Sequence, residues 1–382
     1  KLNFQNLDID DLSNIIDKEL KQFKNYIKNN NKININNIKI KSSKLNNKHL
    51  SSKKNNNIKP FSSVKNIVNI NNIKNKNVSN SINNSQSKKT INEIKKHEYN
   101  NKINLKYFTK SKGYNYIFGY DFVQNNKDNI ELIINDKNSP LINKYNLNIG
   151  YNTITIIIKN QLTNLSYMFT NSFLFNLDEL KYLDVSNVTD FSYTFSECKS
   201  IKDISPLQNW DVSNGATFEG TFENCTSLTN LNPLQNWNVV NSINFSFMFA
   251  KCFLLSDISG LKNWDVSNGN DFGSMFNECK KLKDLSPLKN WNVLNGENFE
   301  DMFRDCKLLS DISPLKKWNV SNGDNFAGMF WGCSSLSNIK PIINWDVTED
   351  ANYEDMFYGC SPSLDISPIN KWKNSKDIIE TI

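Results

Sequence analysis

Residues Asn298-Phe299-Glu300-Asp301-Met302-Phe303-Arg304-Asp305-Cys306 decide the fold, because their pattern returns every 27 residues. The closing cysteine recurs as Cys198, Cys225, Cys252, Cys279, Cys306, Cys333 and Cys360, which are all 7 cysteines of the 382-residue chain. Trp210, Trp237, Trp264, Trp291, Trp318, Trp345 and Trp372 keep the same step and account for all but one of the 8 tryptophans. Phe195, Phe222, Phe249, Phe276, Phe303, Phe330 and Phe357 form a third column, five of them preceded directly by Met. An earlier unit with Met168-Phe169 stands 26 residues before Phe195 and puts Ser172 in the cysteine slot. A fixed period of 20–50 residues is the mark of a repeat architecture.

Within one unit, Phe299, Met302, Phe303 and Cys306 stand at i, i+3, i+4 and i+7, which predicts one apolar face of a short helix. Asp190, Thr217, Asn244, Asp271, Asn298, Asn325 and Asn352 precede the first aromatic of their units, and all are N-cap types. After the cysteine, Leu282–Leu288 reads as a very short strand. Pro206, Pro233, Pro287, Pro314, Pro341 and Pro368 would end that strand in each unit, since proline cannot donate to a ladder. Asn290-Trp291-Asn292-Val293 alternates and reads as a second short strand. The expected class is therefore an α+β repeat solenoid of about eight stacked units, each a short helix plus two short strands. The Cys and Trp columns would be its core ladders. One such unit cannot bury its apolar face alone.

These residues resemble a known family. The pattern Asn-Phe-x-x-Met-Phe-x-x-Cys, continued through Pro-Leu and Trp-Asp-Val-Ser-Asn-Gly, looks like the BspA-type leucine-rich repeat. It is most similar to the form found in mycoplasma surface lipoproteins and in protist and giant-virus proteins. The resemblance covers about 162–373, and the segment from Tyr116 to Lys127 resembles the lead-in of such repeats. It implies a right-handed leucine-rich-repeat-like solenoid used for protein–protein contact or surface attachment, without enzymatic activity. Ser172, Thr194, Thr221 and Ser363 depart from the pattern near the ends, as capping units do.

The remainder divides by composition. Residues 1–28 place Ile9, Leu12, Ile16, Leu20, Phe23 and Ile27 at helical spacing, an amphipathic helix. Residues 29–106 form a basic Asn/Lys-rich linker, expected to be disordered and flexible. Residues 107–160 form a small β cap with strands over 114–118, 130–134 and 153–158, and 161–382 hold the repeats. Charge is polarised. Residues 1–160 carry 28 Lys and 11 acidic residues, a net +17, whereas 161–382 carry a net −11. Residues 28–112 alone carry 20 Lys against Glu93 and Glu98. Such a tract can grip nucleic acid or an anionic surface, although biased composition is the better reading and aromatics for base stacking are nearly absent.

Several function classes recede. No run of apolar residues is long enough for a transmembrane helix. Only His49 and His97 are present, which argues against histidine-dependent catalysis and metal binding. No Cys-x-x-Cys occurs, and ladder neighbours about 4.8 Å apart do not suit disulfides, so the thiols read as small buried hydrophobes. Free thiols favour a reducing intracellular or virion setting, while the resemblance allows a cell surface. The first residue is Lys1, which leaves a removed N-terminal signal open. The column Asp203, Asn230, Asp257, Asp284, Asp311, Asn338 and Asp365 could bind Ca²⁺ or serve turns; turns are the better reading. Asn209, Asn236, Asn263, Asn290 and Asn344 are expected to form an asparagine ladder.

No catalytic residue, cofactor or metal site emerges, and the chain reads as no enzyme. The expected function is a protein-interaction scaffold or surface-recognition protein. The alternatives are a structural surface or particle-coat component anchored by the basic arm, and nucleic-acid tethering through that arm. The contact surface should lie where repeats differ. The column Glu223, Ala250, Asn277, Arg304, Trp331 and Tyr358 varies and so should be exposed, with Arg304, Trp331 and Tyr358 as candidate partner contacts.

Overall fold

The computed structural model describes residues 102–372, apart from residues 111, 175, 349, 370 and 371. The expected helix over 1–28 and the basic segment as far as residue 101 lie outside the described residues.

The described chain opens with β1 (Lys102–Thr109), which alternates Lys, Asn and Phe outward with Ile103, Leu105 and Tyr107 inward. This strand lies partly inside the stretch expected to be linker; its period-2 apolar signal was masked by the surrounding Lys and Asn. Then follow β2 (Gly113–Tyr116), helix α1 (Tyr120–Asn126), β3 (Ile130–Ile134), β4 (Lys137–Ser139), β5 (Lys144–Leu147) and β6 (Gly150–Ile158). One antiparallel sheet has the order β1-β6-β3-β4, and β2 pairs with β5. Asn135 and Asp136 turn β3 into β4, both at positive φ (47° and 62°), as a tight two-residue hairpin requires. The unit meets the first repeat through Gly119, whose N–H donates to the Tyr167 carbonyl at 3.0 Å, and through Phe118, whose ring lies 6.2 Å from that of Phe169.

The repeats do not contain the expected helix. Over 299–306 the side chains run in, out, out, in, in, out, out, in. That period of four cannot be told from 3.6 over eight residues. The backbone is a chain of tight turns. Met302, Arg304 and Cys306 donate N–H to carbonyls three residues back, at 3.0–3.2 Å. Phe299, Asp301, Phe303 and Asp305 instead donate to Asn325, Ala327, Met329 and Trp331 of the next unit, at 2.7–2.9 Å. The alternation needs two left-handed residues per unit, here Asp301 (φ 53°) and Asp305 (φ 55°). Gly, Asn and Asp, which tolerate that region best, fill about half of these positions, and elsewhere the ladder holds other residues there, such as Tyr167, Phe247 and Glu197. The expected N-caps are not helix caps. Asn298 accepts the Glu300 N–H at 3.1 Å, and the seven residues of its column bridge in parallel from unit to unit.

Among the described residues the two expected strands are also absent, apart from single parallel bridges such as Asn230–Asp257 and Asn338–Asp365. Short 3-10 helices recur every 27 residues, among them Ser286–Leu288, Ser313–Lys317 and Lys340–Ile342. Proline starts these turns rather than ending a strand, since its fixed φ suits the first turn and its missing N–H is not needed there. Gly260 breaks the proline column. A Cβ there would fall 1.9 Å from the Leu231 carbonyl oxygen, where the fourth unit approaches the third. The Trp that follows each 3-10 helix joins no ladder, and its N–H closes the preceding turn, as Trp291 donates to the Leu288 carbonyl at 3.0 Å.

The architecture is thus a repeat fold whose like residues stack in register. Phe rings of successive units sit 5.5–5.9 Å apart from Phe195 to Phe357, and Trp210, Trp237 and Trp264 follow at 6.3 and 6.4 Å. Burying each such ring is worth about 1.5–3 kcal/mol.

Candidate functional site

The interior columns come first, because they fix what is left outside. Each buried Trp carries a polar N–H that needs an acceptor. Trp210, Trp237, Trp264, Trp291, Trp318 and Trp345 donate Nε1–H to the carbonyl 30 residues earlier, from Leu180 through Leu315, at 2.8–3.1 Å. Trp372 is buried with the rest. The thiols do likewise. Cys198 donates to Phe169 at 3.0 Å, Cys279 to Phe249 at 3.2 Å and Cys360 to Phe330 at 3.2 Å. All seven are free, six fully buried and Cys360 partly so. Burial pushes the thiols up, Cys198 and Cys252 to about 12. Such thiols are neither nucleophiles nor ready metal ligands. Ser172 continues their column, its Oγ 3.6 Å from Cys198 Sγ. Thr194 and Thr221 replace Met because their hydroxyls donate to the Phe191 and Phe218 carbonyls respectively at 2.8 Å.

The acidic column is committed to its own turns. Asp311 accepts the Ser313 N–H at 2.8 Å and the Ser313 hydroxyl at 2.9 Å, and Asp203 and Asp284 do the same. In Asp257, burial raises the carboxyl, but hydrogen bonds from Ser259 and Asn232 outweigh it and hold the group low. The asparagine ladder forms, but at other positions. Asn209, Asn236, Asn263, Asn290 and Asn344 are exposed. Asn214, Asn241, Asn268 and Asn295 instead donate Nδ2–H to backbone carbonyls 28 residues earlier, at 2.6–2.7 Å.

What remains is the outward side of the turn ladder, two pairs of positions per unit. Arg304, Trp331 and Tyr358 fall on it as one continuous row. The Arg304 guanidinium lies 4.0 Å above the Trp331 ring, and Trp331 stacks on Tyr358 at 5.8 Å and 18°. Asp301 holds the guanidinium from the side at 3.2 Å. Burial raises the Asp301 carboxyl, against the pull of Arg304. The variable column is not exposed throughout, as had been expected. Ala250 is 0% exposed, because a methyl group does not reach past the backbone ladder, whereas Tyr358 is 47% exposed.

A second cluster on this side escaped the sequence reading. Tyr167 and Tyr193 stack at 4.9 Å, and the Tyr193 hydroxyl donates to Glu219 at 2.6 Å. The signal was present, since both tyrosines occupy the same slot of consecutive units. Carboxylates outnumber cations on this side, and Glu197, Glu278 and Asp305 are each beside a lysine two residues on, at 2.8, 3.0 and 3.9 Å. Among the described residues no helix is long and apolar enough to cross a membrane, and no group of three or more His, Cys, Asp or Glu is placed to hold a metal.

Comparison with known proteins places this arrangement. No curated protein and no solved structure matches the chain. The family described as "Mycoplasma protein of unknown function, DUF285" matches residues 145–260 and 244–372, which together span β6, part of the β unit before it and the repeats. With more than half of its length so matched, the chain belongs to that mycoplasma family.

Proposed function

We propose that the chain is a non-enzymatic recognition protein, built on a right-handed BspA-type leucine-rich-repeat solenoid, whose turn-ladder side binds a protein partner. The row Arg304–Trp331–Tyr358 carries this reading. Its rings and guanidinium are held rigidly by stacking, yet remain partly open to solvent. Rigid Trp, Tyr and Arg are the residue types that anchor interfaces. The repetition supports the reading too. Interior columns keep one residue type, while the outward column changes from unit to unit, which is how a repeat scaffold varies its contacts. The non-enzymatic reading rests on the most strongly shifted groups, which are buried thiols and tyrosines engaged in packing and not polar groups converging on a cleft.

The test compares the full chain with the Trp331→Ala/Tyr358→Ala double variant as bait for proteins of the source cell. A partner held at low and moderate salt by the native chain, and lost from the double variant, supports the reading. Identical capture by both proteins contradicts it. Capture that disappears for both at moderate salt assigns binding to exposed charge instead.

A further inference from the structure

A different face carries a second site. The outward side of β1 presents Lys106, Phe108 and then Lys110 at alternate positions. Phe108 pairs with Tyr151 of β6, and their rings meet edge to face at 5.1 Å and 61°. Phe173, from the first repeat, brings a third ring to the same place. These rings are 40%, 73% and 56% exposed, a concentration of apolar surface that packing alone does not call for. Together with Thr109, Lys110, Asn115 and Ser200 they line an open pocket of about 470 Å³. No carboxylate lines it, although carboxylates are plentiful on the repeats.

The composition of this pocket narrows its ligand. Three exposed rings offer flat π surfaces. Lys110 in the lining, and Lys106 outside it but two residues before Phe108 on the same face of the strand, offer positive charge. Asn115 and Ser200 add polar groups at the rim. A purely apolar ligand would leave the lysines unused, and a flat anionic surface would not enter a concavity. A neutral sugar would make no use of the charge. A planar base joined to a phosphate uses both, by stacking on the rings and pairing with the ammonium groups. We propose that the junction of β1, β6 and the first repeats binds single-stranded nucleic acid, with bases on Phe108, Tyr151 and Phe173 and phosphates on Lys106 and Lys110. The inference stands apart from the proposed function above, since it uses none of the turn-ladder side. The sequence alone hid it, because its rings lie 43 and 22 residues apart along the chain and only folding gathers them.

The experiment titrates the full chain into a short fluorescein-labelled oligothymidylate and reads anisotropy over a range of salt. Phe108→Ala, Tyr151→Ala and Phe173→Ala should each weaken binding roughly tenfold, within the range set by stacking of one base on one ring. The slope of affinity against salt should stay unchanged in these variants, whereas Lys110→Glu should lower it. Phe108→Tyr should bind as the native chain does, which separates loss of a ring from loss of folding. Equal affinity of all three alanine variants and the native chain would overturn the proposal. So would displacement of the oligonucleotide by dextran sulfate at equal charge with no effect of the ring variants, since that would be lysine-driven polyanion binding.

Discussion

Residues 102–158 and residues 162–369 saturate their buried backbone groups by opposite means. In the β unit, each strand finds its partners in antiparallel neighbours, and the core is mainly aliphatic, with Ile103, Leu105, Ile154 and Ile156 buried alongside Tyr107, Phe118 and Phe122. In the repeats, half of the turn N–H groups reach forward to the next unit, and columns of sulfur and aromatic ring join Leu, Ile and Val in the core. The first arrangement can be completed within one short segment. The second is completed only by copying, because every unit supplies acceptors to the unit before it. The difference teaches why the repeats keep their interior residues so strictly: each position must fit its own copy above and below.

The largest expected effect breaks the comparison at alkaline pH. All seven cysteines lie in the repeats, and burial raises every one above the ordinary thiol value of about 9. Below pH 9 both states hold the thiol proton and the contribution is complete. Above it the unfolded chain loses protons that the fold retains, so stability falls as pH rises toward the folded values. The loss is about 1.4 kcal/mol per thiol for each pH unit. Hydrogen exchange between pH 9 and 10, corrected for intrinsic rates, should show the repeats loosening first. Simultaneous loosening of the thiol-free β unit, or none in the repeats, would contradict this.

Removing one ring is next. Phe276→Ala empties a fully buried site between Phe249 and Phe303 and should cost about 3–5 kcal/mol in chemical denaturation. A cost below about 1 kcal/mol would mean that the units do not share a packed core.

A smaller effect sharpens the account of the turns. Gly328 has φ 60°, and a Cβ there would fall 2.1 Å from Asp301 Oδ1, the tip of a side chain that would have to shift together with its contact to Arg304. Gly328→Ala should therefore cost about 1–2 kcal/mol, mostly from the left-handed backbone. A neutral result in thermal melts would show that the position is not left-handed, and the alternating-turn ladder would fail with it.

These elements also show what a sequence can disclose. The burial of Phe299, Met302, Phe303 and Cys306 was legible because repetition averages out chance. The helix inferred from them was wrong, because side-chain period reports which way residues point and not where their N–H groups bond. Proline was assigned to the end of a strand, whereas it starts a 3-10 turn; its chemistry permits both. The Asn214 column, not the Asn209 column, bonds across units, since reach to a carbonyl depends on backbone path. That Arg304, Trp331 and Tyr358 share one column was legible because that column varies among constant ones, but their stacking into a row shows only in the fold. Phe108 and Tyr151 went unnoticed, since the β unit occurs once and offers no columns to compare.

The central claim is that like side chains are sealed together inside successive layers. Thiol labelling of the native chain, followed residue by residue by mass spectrometry, tests it most directly. Cys198 through Cys333 should react only at the rate of unfolding, with Cys360, partly exposed at the end of its column, reacting sooner. Rapid and uniform labelling of all seven in the folded protein would contradict it.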